Sequence, residues 1–88
     1  MNKTHKLKTW PEYFSAVADG TKTFEIREND REYKVGDTLV LQEYNNHTEK
    51  YSYREIECVV TYMIEGGKFG ISKTHCVMAI EVITTYNF

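Results

Sequence analysis

Three residues whose types and spacing could carry chemistry stand within six positions: Lys22, Glu25 and Arg27. They belong to the run Gly20-Thr21-Lys22-Thr23-Phe24-Glu25-Ile26-Arg27, where a helix-like stretch gives way to an alternating one. An arginine presents a planar fork of donors suited to a carboxylate, a phosphate or a base edge. A lysine in a desolvated cleft can serve as nucleophile or base. Glu25 and Arg27 are two apart on a predicted strand, so they face the same way and can hold each other by an ion pair. A perfect strand from residue 21 would point Lys22 with Phe24, so Lys22 joins the other two only from the turn. The competing reading of all three is a solvated polar strand face.

A second cluster is His5, Lys8 and Trp10. A tryptophan beside a lysine can stack on a base while the ammonium meets a phosphate. Trp10 also begins the helical stripe Trp10, Phe14, Val17, and that stripe favours a core position. His5 and Lys8 read as surface residues of a short terminal strand. Asn29-Asp30-Arg31 follows the charged strand, where turn chemistry explains it and where a loop can also rim a site. No Ser/His/Asp, Cys/His or paired-carboxylate pattern stands out. Gly66-Gly67-Lys68 lacks the spacing and the following hydroxyl of a phosphate loop. Cys58 and Cys76 have no CxxC partner and no His at ligand spacing, so they read as reduced core thiols. No metal and no cofactor are expected.

The elements that must position these residues follow from periodicity. Residues 5–9 predict a short strand. Thr9-Trp10-Pro11-Glu12 predicts a helix start, with Thr9 capping in a capping box and Pro in the first turn. The helix runs over residues 10–19 and stops at Gly20. Residues 23–27 predict a strand with Phe24 and Ile26 in the core and Thr23, Glu25 and Arg27 on the opposite face. Further strands are predicted over 38–44, 51–63 and 76–83. Ile56, Cys58, Val60 and Tyr62 share one face of the long strand, and Cys76, Met78, Ile80 and Val82 share one face of the last. No strand–helix–strand alternation follows residue 27, which argues against a doubly wound parallel sheet. A small, mostly antiparallel barrel with one helix over an opening fits best.

The 88 residues predict a single domain, 1–88, with a small core. Seven Tyr, four Phe and one Trp let few side chains close it. A net charge of −2 argues against a polyanion binder held by charge alone. The balance is uneven: residues 1–27 carry five basic residues against three acidic ones, while the remainder is acidic. A bound nucleic acid or phosphate would therefore sit on the first third. Residues 1–20 hold no apolar run of a signal peptide, and nothing approaches a membrane span, so a cytoplasmic protein without a membrane partner is expected. No stretch specifies an oligomer.

Gly20-x-Lys22-x-x-Glu25-x-Arg27 resembles the signature of the ASCH (activating signal cointegrator homology) domains, which have a PUA-like fold. Leu7–Phe14, Phe24–Arg27 with Asn29–Arg31, Val35-Gly36-Asp37, Glu43-Tyr44 and Val60-Thr61-Tyr62 look like one small bacterial and phage branch of unassigned function. The likeness covers about residues 5–82. It implies an α+β, mostly β fold: a PUA-like β-pseudobarrel of about five to six strands with one main N-terminal helix beside a cleft that the motif lines. It implies an RNA or nucleoside-like ligand. With the residue reading, the candidate binding set is Lys8, Trp10, Lys22, Glu25, Arg27, Asn29 and Arg31.

A related branch is similar in carrying an amidohydrolase activity on N4-acetylcytidine, with a Lys, a Thr and a distant Glu at work. By motif that Lys falls on Lys22. Glu25 stands where the Thr is expected, and Glu81 is a guess for the distant Glu. If the chain is an enzyme, Lys22 is its nucleophile or base and Glu25 its proton relay. A protein-interaction domain is the third reading. A further departure is Tyr51-Ser52-Tyr53-Arg54, where the branch commonly has Tyr-Thr-Gly-Arg; a different turn geometry is expected there.

Overall fold

The computed structural model of the protein describes residues 1–86. In chain order the elements are β1 (Thr4–Thr9), α1 (Pro11–Ala18), β2 (Phe24–Glu28), β3 (Thr38–Asn45), β4 (Lys50–Glu65) and β5 (His75–Tyr86). The strands form one sheet in the order β1-β3-β4-β5-β2. Only the β1–β3 pair is parallel. The sheet curls into a half-barrel with the short helix beside it. Among the described residues no helix is long and apolar enough to cross a membrane.

The expected barrel is left open between its edge strands, β1 and β2. Side chains cross that seam instead of a backbone ladder. Arg27 Nη1 donates to Lys8 O at 3.0 Å, and Arg31 Nη1 donates to Lys6 O at 2.9 Å. An edge strand carries unpaired backbone carbonyls, and here two of them accept from guanidinium groups. That is the role of Arg31, which was expected to rim the site.

α1 starts with Pro11, whose missing N–H costs nothing in a first turn. The expected capping box does not form. Trp10 is the N-cap and makes no side-chain cap bond. Thr9 instead donates its hydroxyl to Leu7 O at 3.3 Å and accepts from Arg27. Eight residues are too few for a helix to stand alone, so Phe14 and Val17, both buried, must hold it. Burial of such side chains contributes ~1.5–3 kcal/mol each. Gly20 ends the helix at φ +86°, a left-handed conformation natural to glycine. The amides of Thr21 and Lys22 then return to Ala16 O, which fixes Lys22 just before β2 begins at Phe24.

The core holds Leu7, Phe14, Val17, Leu39, Leu41, Ile56, Cys58, Val60, Cys76 and Met78. One expectation about its membership fails because strand phase is interrupted. Between Val60 and Tyr62 the β4–β5 register shifts. A bulge lets the side-chain sequence skip a face, so Tyr62 emerges 65% exposed and Met63 packs on the core in its place. Val82, also expected in the core, keeps its phase, pairing with Cys58 as Ile80 pairs with Val60, but it is 42% exposed.

The reading of β2 is inverted. Glu25 is 3% exposed, whereas Phe24 and Ile26 are 43% and 58% exposed. On the outer face, Phe24 lies across from Ala79 and Ile26 across from Val77, with Tyr62 and Ile64 one strand further on β4. Apolar cross-strand neighbours there soften the cost of turning the two residues outward. On the inner face, Lys22 from the preceding turn and Arg27 from the same strand make burial of Glu25 tolerable.

His5 is also buried rather than surface-exposed. Its Nε2 lies 2.8 Å from Asp37 Oδ2, and its ring meets Tyr33 edge-on. Burial alone would raise the Asp37 carboxyl, but hydrogen bonds from the Lys3 amide, His5 and the Lys34 amide outweigh it and hold the group below its ordinary 3.8. Asp37 thereby ties the start of β1 to the start of β3. Gly36, at φ +95°, leaves room for the Asn2 side chain in the same corner.

Candidate functional site

Glu25 is the centre of the site because its burial demands compensation. A buried carboxylate is tolerated only if paired and hydrogen-bonded. Lys22 Nζ donates to Glu25 Oε2, and Arg27 Nη2 donates to Glu25 Oε1 at 2.9 Å. Both oxygens of Glu25 are thus engaged by cations. Lys22 reaches this place from the turn before β2, as strand phase requires, and its Nζ also donates to Phe24 O at 2.6 Å. Arg27 is held further by Lys8 O and by Thr9 Oγ1 at 3.1 Å.

The donor inventory shows what this floor can offer. Arginine has five N–H donors and lysine three. Three bonds occupy Arg27 and two occupy Lys22. Donor capacity is left over on both cations, while each carboxylate oxygen already holds one of them. Such a floor suits an acceptor-bearing ligand: a phosphate, a carboxylate or a ring carbonyl.

Above it opens a cleft of about 630 Å³, within the range of small-molecule sites. Lys8, Thr9, Trp10, Tyr13, Lys22, Phe24, Glu25, Ile26 and Arg27 line it, with Ala16 and Thr21. Trp10 and Tyr13 stack on each other, centroids 5.9 Å apart and planes 22° from parallel. They are about half exposed, so a flat apolar surface stands at the lip. The placement of Trp10 corrects the core reading: the stripe of α1 that reaches the core is Phe14 and Val17 only. Lys22 Nζ lies 5.0 Å from the Phe24 ring centroid and 6.0 Å from that of Tyr13, a cation amid aromatic faces.

Two thiols lie beneath. Burial, reinforced by the negative charge of Glu25, pushes the Cys58 thiol up to about 12. Burial raises Cys76 as well. Both are free and sit in the core, so neither supplies a thiolate at neutral pH. Among the described residues no group of three or more His, Cys, Asp or Glu could hold a metal ion.

A family model described as "Domain of unknown function (DUF3850)" matches residues 4–80, a stretch that contains every residue of the cleft. The chain belongs to this family. It is also 38% identical over 61 residues to the "Uncharacterized 12.9 kDa protein in GpA 3'region" of Escherichia phage P2. That match covers 69% of this chain and 54% of the relative, so the matched stretch spans about half of the phage protein.

In this family member, five of the seven residues singled out from the sequence line one cleft: Lys8, Trp10, Lys22, Glu25 and Arg27. The other two do not. Asn29 shapes the loop after β2, its amide donating to Thr74 O and its Oδ1 accepting from the Tyr33 amide at 3.2 Å. Arg31 spans the seam to Lys6. Glu81 is exposed on β5 and is not among the cleft residues. Sequence reasoning missed Thr9 and Tyr13 as cleft residues. Tyr13 had a signal, since it lies beside the helical stripe and three residues from Trp10. Thr9 had none, because its position follows from the seam.

Proposed function

We propose that the chain is an ASCH-type, PUA-like module whose cleft binds RNA or a nucleotide. The observation that carries this reading is the pairing of a donor floor with an aromatic lip. Arg27 and Lys22 retain donors for phosphate or ring oxygens, while Trp10 and Tyr13 offer a stacking surface beside them. Glu25 serves to fix the two cations and is not itself a ligand acceptor. Three cations against one carboxylate make the cleft locally positive although the chain is acidic. Affinity is therefore modest and the footprint small. Reduced thiols fit a cytoplasmic setting.

The test is fluorescence binding of short RNAs across salt concentrations. Binding should weaken as salt rises, and Arg27→Ala should weaken it several-fold while lowering the salt slope by about one. Absence of binding at low salt, with wild type and Arg27→Ala alike, would end the proposal.

The amidohydrolase reading draws on the direct Lys22–Glu25 contact, which is the geometry of a proton relay. It requires release of cytidine from N4-acetylcytidine and loss of that turnover in Lys22→Ala. Binding without turnover leaves the module reading in place.

A further inference from the structure

We infer that the ligand surface continues out of the cleft as a short track for single-stranded nucleic acid, over Lys8 and onto Tyr44 and Tyr51. This deepens the nucleotide reading of the cleft and rests on it.

Lys8 belongs to both regions. It lines the cleft, and its Nζ lies 4.5 Å from the Tyr44 ring centroid and 5.9 Å from that of Tyr51. Tyr44 on β3 and Tyr51 on β4 are cross-strand partners, their rings edge to face with centroids 4.8 Å apart. Tyr51 is 37% exposed. The surface thus repeats one arrangement: a stacking pair at Trp10 and Tyr13, a cation at Lys8, and a second aromatic pair beyond. Alternation of π-faces with cations matches a strand whose bases are free to splay and whose phosphates lie between them.

Two acidic residues of β3 and β4 near this path are engaged. Glu43 is held by a two-pronged contact from Arg54, at 2.9 and 2.8 Å, and Glu55 accepts from Gln42 at 3.0 Å. They add little repulsion toward a phosphate. A duplex would keep its bases stacked inside and present phosphates alone. A chain of net charge −2 has too little positive surface to hold it that way. Single strands use the aromatic rings, which duplexes cannot.

The test compares three ligands on the full chain: uridine 5′-monophosphate, a uridine hexamer and a short RNA duplex. The hexamer should bind at least ten-fold tighter than the monophosphate and tighter than the duplex. Tyr51→Ala should weaken the hexamer about ten-fold and leave the monophosphate unchanged. Tyr51→Leu keeps apolar bulk and should lose the same affinity, while Tyr51→Trp should retain it, which separates stacking from folding. A deoxyuridine hexamer should bind as well, since stacking does not need the 2′-hydroxyl. Equal affinity for hexamer and monophosphate, or Tyr51 variants with full hexamer affinity, would overturn the track while leaving the cleft reading intact. Failure of all three ligands to bind would overturn both.

Discussion

Glu25 shows how a residue's partners decide its place. Taken alone, a glutamate between Phe24 and Ile26 belongs in water. With Lys22 and Arg27 on its two oxygens it is 3% exposed, and the apolar pair faces out. Removing one partner of such a cluster strands the others. Glu25→Gln keeps the shape and one acceptor but removes the charge that compensates two cations and turns an amide NH2 toward one of them. It should destabilise the chain by about 2–3 kcal/mol, read from the urea midpoint. That is a large part of the stability of a domain this size, ~0.05–0.15 kcal/mol per residue. The same variant should lose ligand affinity, because Arg27 and Lys22 are no longer aimed. Unchanged stability would mean that the carboxylate is better solvated than its contacts indicate.

At the scale of elements, the strands and most of their phases were legible from alternation, as Ile56, Cys58 and Val60 on β4 and Cys76, Met78 and Ile80 on β5 show. The boundaries of β1, α1, β3 and β5 read from periodicity lie close to those observed. What periodicity could not show was where phase breaks. The apolar alternation of Ile56, Cys58, Val60 and Tyr62 runs through a bulge that the sequence does not mark. The inversion of β2 depends on Lys22 from a turn and on Thr9 from another strand, contacts that no local window contains. The cleft was half legible for the same reason: its charged floor is contiguous in sequence, whereas the residues that tie the floor to β1 come from across the seam.

The turn expected over Tyr51–Arg54 is instead part of β4, opposite the register shift between Gln42 and Tyr44. Tyr53 has φ +70° there, the left-handed conformation that favours glycine, so this irregularity carries a backbone cost. Such strain is worth ~1–3 kcal/mol, offset in part by glycine's larger unfolded entropy of ~0.5–1 kcal/mol. Tyr53→Gly should therefore raise stability by up to about 1 kcal/mol in urea unfolding. A marked loss would show that the Tyr53 ring contributes more than its backbone costs. The strained residue directly precedes Arg54, whose guanidinium holds Glu43 and lies 5.3 Å from the Phe14 ring.

For the whole molecule, the decisive feature is a sheet that curls without closing. Its two edge strands meet at a seam crossed by arginine side chains, and the cleft lies at one end of that seam beside α1. A closed ladder would have spent the backbone of β1 and β2 on each other and left Arg27 no structural reason to stand there. One group therefore closes the fold and floors the cleft, so site and scaffold are coupled through Arg27. The central claim is that this floor and the aromatic lip form one ligand site. The most direct measurement is an NMR titration of the isotope-labelled chain with uridine 5′-monophosphate. The largest shifts should fall on the Trp10 indole N–H and on the amides of Lys22 to Arg27. Shifts confined to the far ends of β4 and β5, or none at millimolar ligand, would contradict the account.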